Sequence, residues 1–364
     1  MAKKNFKLEI GNYDYRGEKL GEDFMKRMPS YPYLIKYSKD EKNGLDVQLR
    51  GKYINIYYQG GNLIKLSGLQ TCEFDENYFY LPEKDGLPMT DIERLCHKDY
   101  VNKAKESKIL KHKTKEELDE LRKKAFETKG YIKGRRDELV NILKNCNSLE
   151  SVRLVVEEMK KTMRKWKKRL VDNKRRKEEI SERVVQHYIS LYNKKFDDKT
   201  DFVVLDIEYA ISANAEYAKE EEREKQPRID IVAIEKDTGL IWVMELKYGM
   251  KSVDNDSGVD KHHKDYLATV GNDNKWRSFV RDIDKLLKAK QDDNLISKDI
   301  HIKEAKPRFA FIMKQELKSD KVKFSEYLEE NKLSDIQTIY LPVEEKDYSN
   351  PSDLGHKLSK ENLR

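Results

Sequence analysis

Asp230, Glu245 and Lys247 are the residues whose types and spacing point most directly to chemistry, within PRIDIVAIEKDTGLIWVMELK, residues 227 to 247. Two runs of Ile, Val, Ala, Trp and Met flank EKDTG, a turn with its break at Gly239. A hairpin built for burial therefore carries two carboxylates and an amine. Side chains alternate across a strand, so Val243, Glu245 and Lys247 share one face while Trp242, Met244 and Leu246 point the other way. Asp230 lies on the partner run, where the turn can set it opposite the Glu/Lys pair. Half-buried charge without compensation is costly, because the groups lose their hydration. Two arrangements offset that cost: a salt bridge from Lys247 to either acid, or a divalent cation, for which paired carboxylate oxygens are hard ligands. A bound Mg²⁺ polarises a phosphate and lowers the pKa of its water, and a neighbouring lysine orients that nucleophile or balances developing charge.

The tripeptide Glu-x-Lys carries no signal alone, since it recurs at Glu106, Glu158 and Glu316 among others. Only the copy at Glu245 ends an apolar strand after a hairpin with Asp in its first arm. That context resembles the PD-(D/E)xK nuclease superfamily, through Pro227-Arg228-Ile229-Asp230, a relaxed Pro-Asp with two residues between, and Glu245-Leu246-Lys247. The resemblance covers residues 178 to 345 and implies an α/β nuclease-like domain with a mixed central sheet. It implies that Asp230 and Glu245 ligate Mg²⁺, with Mn²⁺ as a substitute, that the carbonyl of Leu246 adds a ligand, and that Lys247 assists the attacking water. Many members carry a Glu on the helix before the first core strand, and Glu182 in ISERVVQHYI is the best-placed candidate, ahead of Glu178 and Glu179. Some subfamilies place Gln and Tyr four apart on the following helix. Here His262 and Tyr266 occupy those positions as nucleic-acid contacts, with His263 beside them and the Gln replaced.

The implied activity is Mg²⁺-dependent hydrolysis of phosphodiester bonds in DNA, endonucleolytic, in a bacterial or phage defence or restriction setting. A homodimer or a partner protein in a defence complex is compatible with it. Two alternatives stay open: a non-catalytic nucleic-acid-binding or scaffold subunit with a nuclease-like fold, and an RNA-directed nuclease with the same site.

The positioning elements follow from patterning. Residues 178–345 alternate between helical and strand patterns: ISERVVQHYISLY as a helix, DFVVLDIEYAIS as a strand, the hairpin, helices near DKHHKDYLATV and KWRSFVRDIDKLLKAK, then strands RFAFIM and IQTIYLPV. Such alternation predicts an α/β domain. Asp206 and Glu208 share a strand face, with a salt bridge favoured over a second metal ligand. Trp276 heads a set with Phe279, Val280, Ile283, Leu286 and Leu287 that reads as core. Residues 1–104 give short Gly-bounded strands (LDVQLRG, KYINIYYQG, GNLIKLSG, LQTCEFDE) and a small β-rich N-terminal domain of unknown role. Tyr53, Tyr57 and Tyr58 there read as strand packing rather than base stacking. Residues 105–177 form a charged helical region in which Val152, Val156, Met159, Met163, Trp166 and Leu170 trace an apolar stripe. Its remaining faces carry Lys160, Lys161, Arg164, Lys165, Lys167, Lys168, Arg169, Arg175 and Arg176, a face suited to tracking phosphates or simply to solvent. Residues 346–364 read as a loosely held polar tail.

Composition sets the limits. The 364-residue chain is 39% charged and 37% hydrophobic, with net charge +7, a surplus that permits a polyanionic partner without specifying one. Three scattered cysteines argue against a zinc module or a disulfide framework. No signal-length apolar core or membrane-length apolar run occurs, which predicts a soluble cytoplasmic protein with no membrane partner. Neither GxxxxGK[ST] nor GxSxG is present, so nucleotide hydrolysis by a phosphate loop and serine hydrolysis have no sequence basis.

Overall fold

The computed structural model describes residues 28–50, 53–67, 72–79, 87–172, 181–194, 200–210, 228–253, 259–343 and 356–363. In chain order the elements begin with α1 (Tyr31–Lys39), β1 (Leu45–Leu49), β2 (Tyr53–Tyr58), β3 (Gly61–Ser67) and β4 (Cys72–Glu73). Four helices follow: α2 (Met89–Cys96), α3 (Tyr100–Lys105), α4 (Lys115–Asn145) and α5 (Leu149–Asp172). Then come α6 (Glu182–Tyr192), β5 (Phe202–Ala210), β6 (Arg228–Glu235), β7 (Ile241–Tyr248), α7 (Val259–Val270) and α8 (Asp273–Asp292). β8 (Arg308–Lys314), α9 (Asp320–Glu330) and β9 (Thr338–Leu341) complete the set. None of the described helices is long and apolar enough to cross a membrane.

The compact units are not consecutive segments. Residues 38–61 belong with the described residues from 181 onward, and residues 28–37 belong with 62–172. The boundary expected at 104 falls inside the second unit, whereas the chain returns to the first unit within a few residues of the boundary expected at 177. β1 and β2 join the sheet domain of the C-terminal half, because their polar side chains find partners there that no local pattern announces.

In the first unit β5 to β9 form one sheet in sequential order. β5, β6 and β7 pair antiparallel, while β7, β8 and β9 pair parallel, so the sheet is mixed as expected. The parallel pairs require long crossovers, which α7, α8 and α9 supply. The β6–β7 turn closes with Gly239 at φ 68°, a left-handed conformation natural for glycine. One sheet face buries Ile231, Ala233, Trp242, Met244 and Leu246 against Val185 and Ile189 of α6. The other face meets the remaining helices: Tyr209 packs on Phe279 of α8, Phe309 on Tyr266 of α7, and Phe311 on Phe324 of α9. Trp276, Phe279, Val280, Ile283, Leu286 and Leu287 are all buried, as their spacing predicts.

The polar tail is a correction. Residues 356–363 are docked, with Leu358 fully buried in the sheet core and Leu363 bridged to Ile339. Asn193 anchors this return through hydrogen bonds with the His356 carbonyl and the Leu358 N–H. Three scattered leucines in a polar run leave no periodicity to detect.

The second unit contains the β3–β4 pair and helices α2 to α5. α4 starts at a capping box in which the Thr114 hydroxyl accepts from Glu117 N–H and the Glu117 carboxylate accepts from Thr114 N–H. The stripe on α5 behaves as predicted where its side chains are described: Val152, Val156, Met159 and Met163 are buried and Trp166 is partly buried.

Candidate functional site

The site lies within the first unit, where the ends of β6 and β7 meet the first turn of α6. Register runs Val232 to Val243 and Ile231 to Met244, so one step further Asp230 stands opposite Glu245. The hairpin expectation of a chemical face opposite a core face needs one change. Both faces are covered, and Glu245 and Lys247 are each only 3% exposed. Asp230 is partly exposed at the strand end.

Each side chain is held. Lys247 Nζ donates to Glu245 Oε1 at 2.8 Å. His262 Nε2 on α7 lies 3.2 Å from the same oxygen. Asp230 Oδ2 accepts from the Leu246 N–H at 2.9 Å, which fixes the carboxylate against the neighbouring strand. Gln186, one turn beyond Glu182 on α6, donates its Nε2 to the Asp230 carbonyl at 2.6 Å. Glu182 accepts from the backbone N–H of Tyr248. The turn Gln59–Gly60 backs this corner: a Cβ at Gly60, whose φ is 71°, would meet the Arg183 backbone at 2.7 Å.

Electrostatics separates the acids from ordinary carboxylates. Burial, then the neighbouring Asp230, pushes the Glu245 carboxyl well above the usual range despite Lys247. Burial also raises Asp230, against the pull of the Leu246 N–H and of Lys247. Glu182 is pushed up to about 7 by burial and by Asp230, with Lys247 working the other way. Burial opposes the charge on Lys247, but Glu245, Glu182 and Asp230 together raise its proton affinity. Three acids therefore share one lysine in a region of weak solvation, and their negative charge exceeds what Lys247 balances.

The four residues expected as catalytic are thus brought together: Glu182, Asp230, Glu245 and Lys247. Leu246 contributes its N–H to Asp230, while its side chain is core. Of the two contacts carried over to α7, His262 reaches the site through Glu245. Tyr266 does not; its hydroxyl donates to the Pro307 carbonyl and its ring lies against Phe309. Asp206 and Glu208 find different partners, and the left-handed φ of 52° at Glu208 interrupts the strand alternation they were expected to share. Asp206 pairs with Arg50, as the salt-bridge expectation had it. Glu208 adds its charge near Asp230. Gln186 was missed, although its place four residues after Glu182 puts both on one face of α6.

The basic helix face is in the second unit. Lys161, Arg164, Lys165 and Lys168 are exposed on α5, and Lys167 is partly exposed. Lys160 is a correction: it is buried, and its Nζ donates to Glu157 at 2.7 Å. Its place four after Val156 and three before Met163 puts it on the apolar stripe rather than on the solvent face. The Arg169 side chain, Arg175, Arg176 and Pro227 lie outside the described residues.

Among the described residues no three His, Cys, Asp or Glu side chains form a ready-made ion cage. The donor chemistry still fits a hard dication. Asp230 and Glu245 offer opposed carboxylate oxygens, Glu182 adds charge beside them, and burial makes their joint ionisation costly without a cation.

No protein-family model matches the chain, and no curated protein or solved structure matches it either.

Proposed function

We propose that this chain is a divalent-cation-dependent nuclease of the PD-(D/E)xK kind, cutting phosphodiester bonds within DNA, with Mg²⁺ as the working ion and Mn²⁺ as a substitute. The observation that carries the reading is the opposition of Asp230 and Glu245 beside Lys247, at the end of a strand pair whose other face is core. Asp230, Glu245 and, through its charge, Glu182 would hold the ion. When bound, the ion supplies charge neutralisation at a phosphate oxygen and a water of lowered pKa.

The chain's own groups have distinct tasks. The Leu246 N–H keeps Asp230 Oδ2 in place, and Gln186 ties down the same residue's backbone. Lys247, whose proton affinity the three acids raise against the effect of burial, supplies a positive charge suited to charge developing on phosphate oxygens. Glu182, with its proton affinity near neutrality, suits proton exchange with a water or leaving oxygen. Bacterial or phage defence is the setting that fold-level analogy favours.

One observation favours the scaffold reading instead. Lys247 already pairs with Glu245 at 2.8 Å and His262 approaches the same oxygen, the pattern of an internal ion pair.

The deciding experiment is cleavage of supercoiled DNA, linear DNA and matched RNA by wild type and Glu245→Gln. Each is run with Mg²⁺ or Mn²⁺ and with EDTA, alongside calorimetric titration of Mn²⁺ into both proteins. The reading expects metal-dependent nicking of supercoiled DNA that falls by ~100-fold or more in the variant. It also expects Mn²⁺ binding by wild type that the variant weakens. Equal cleavage by both proteins, or no Mn²⁺ binding by wild type, overturns it. Cutting confined to RNA transfers the site to the RNA-directed alternative.

A further inference from the structure

The same unit contains a second ionic cluster, on the β1 side of β5, around a cavity of about 450 Å³. Its walls include Asp46 and Gln48 of β1, Lys290 of α8 and Lys194, which follows α6. Lys39 and Lys298 join them, with Glu41 as the one further acid. Four lysines thus face two carboxylates.

The inner residues form a built surface. Asp46, Gln48 and Lys290 are buried. Gln48 Nε2 donates to Asp46 Oδ2 at 2.7 Å and to Ser190 Oγ at 3.0 Å. Lys194 Nζ lies 3.3 Å from Asp46 Oδ1 and donates to the Leu45 carbonyl at 3.0 Å. Lys290 Nζ donates to two neutral acceptors, Gln48 Oε1 at 2.9 Å and the Leu205 carbonyl at 2.6 Å. An ammonium has three donors, so Lys290 retains one for a further acceptor. Burial, with Arg50 and Lys194 adding to it, depresses that amine to about 8 even though Asp206 and Asp46 favour its charge. An anion in the cavity would restore it.

We propose that this cavity binds a small phosphate-bearing molecule of mononucleotide size, its phosphate held by Lys194 and Lys290 with Lys39 and Lys298 at the rim. Lysines serve as compact point charges for phosphate, and the volume is that of a small-molecule site rather than of a single ion. Asp46 and Glu41 disfavour a ligand that is anionic throughout. A nucleotide meets them with hydroxyl or amino donors. Lys290 is only 4% exposed, which keeps its amine out of reach of the flank of a duplex.

The test is calorimetric titration of the full chain, in metal-free buffer, with AMP, ADP and inorganic pyrophosphate. A 5′-phosphorylated single-stranded oligonucleotide serves as a fourth probe. The proposal expects AMP or ADP to bind wild type and to raise its melting temperature. Binding should weaken by ~10-fold or more in Lys290→Met and in Lys194→Gln, each compared with wild type after its melting temperature shows it folded, since Lys194 also pairs with Asp46. Glu245→Gln should bind as wild type does, so the outcome is separate from that of the nuclease reading. The proposal is overturned if AMP and ADP do not bind wild type, or if Lys194→Gln binds them unchanged. Binding of pyrophosphate alone, or of the oligonucleotide alone, likewise removes the mononucleotide.

Discussion

Two buried ionic clusters sit in one compact unit and are unbalanced in opposite directions. Around Glu245 the acids are in excess: Glu182, Asp230 and Glu245 share Lys247, and burial raises the carboxyls until Glu182 reaches about 7. Around Asp46 the bases are in excess: Arg50, Lys194 and Lys290 serve Asp46 and Asp206. Burial opposes the charge on Asp46 too, yet Lys194, Lys290 and His187 outweigh it and hold that carboxyl at about 2. The surplus there falls on Lys290, whose amine is pushed down to about 8. Burial alone therefore does not set a proton affinity; the local balance of charge does. The sign of the surplus also names the ligand that would relieve it, a cation at the first cluster and an anion at the second.

The clusters should respond to the same chemical change with opposite signs. Asp206→Asn leaves Arg50 buried without its carboxylate, although the Ile207 carbonyl still accepts from Arg50 Nη2 at 2.9 Å. Breaking one side of a buried pair costs about 3–5 kcal/mol, the largest stability effect expected in the molecule. Urea unfolding of the full chain measures it. A neutral result would mean that Arg50 is satisfied by carbonyls, and the contrast between the clusters would lose its structural half.

The two clusters were unequally legible in the sequence. Strict alternation, the Gly239 turn and one Asp in the first arm place Asp230 opposite Glu245, because hairpin register follows from turn and period. Glu182 was reached through the family resemblance, which places an acid on the helix before the first core strand. The second cluster joins residues whose pairing no pattern encodes: Lys290 meets Gln48 across 242 positions, and Arg50 meets Asp206 across 156. Isolated polar residues in strands look like solvent-facing positions until the partner strand or helix is known. The helices α1, α2, α3 and α9 escaped for a related reason. They are short, six to eleven residues, and so few turns give a periodic pattern little room to show.

Acid tests the second cluster at smaller amplitude. The folded value of Asp46 lies below its ordinary 3.8, at about 2. Its ion pairs thus stabilise the fold above pH 3.8, and that contribution is lost as pH falls through 3.8 towards 2. The depression corresponds to about 2 kcal/mol. Asp46→Asn removes this linkage. The stability gap between wild type and variant, measured by denaturant unfolding, should narrow by about that amount between pH 4 and pH 2. A constant gap would show that Lys194 and Lys290 do not recognise the charge of Asp46.

The smallest expected effect is the most diagnostic. At pH 8 in metal-free buffer Glu182 is ionised next to Asp230, with Lys247 already committed to Glu245. Glu182→Gln removes one of the crowded charges while leaving an oxygen to accept from the Tyr248 N–H. The variant should therefore be more stable than wild type by on the order of 1 kcal/mol, against the usual direction of mutations at buried sites. Mg²⁺ should reverse the order, because an ion neutralising the acids stabilises wild type more than a protein with one acid fewer. Destabilisation by Glu182→Gln without metal would mean that Lys247 depends on all three acids. The cluster would then be a balanced ion-pair network, and the scaffold reading would gain what the nuclease reading lost.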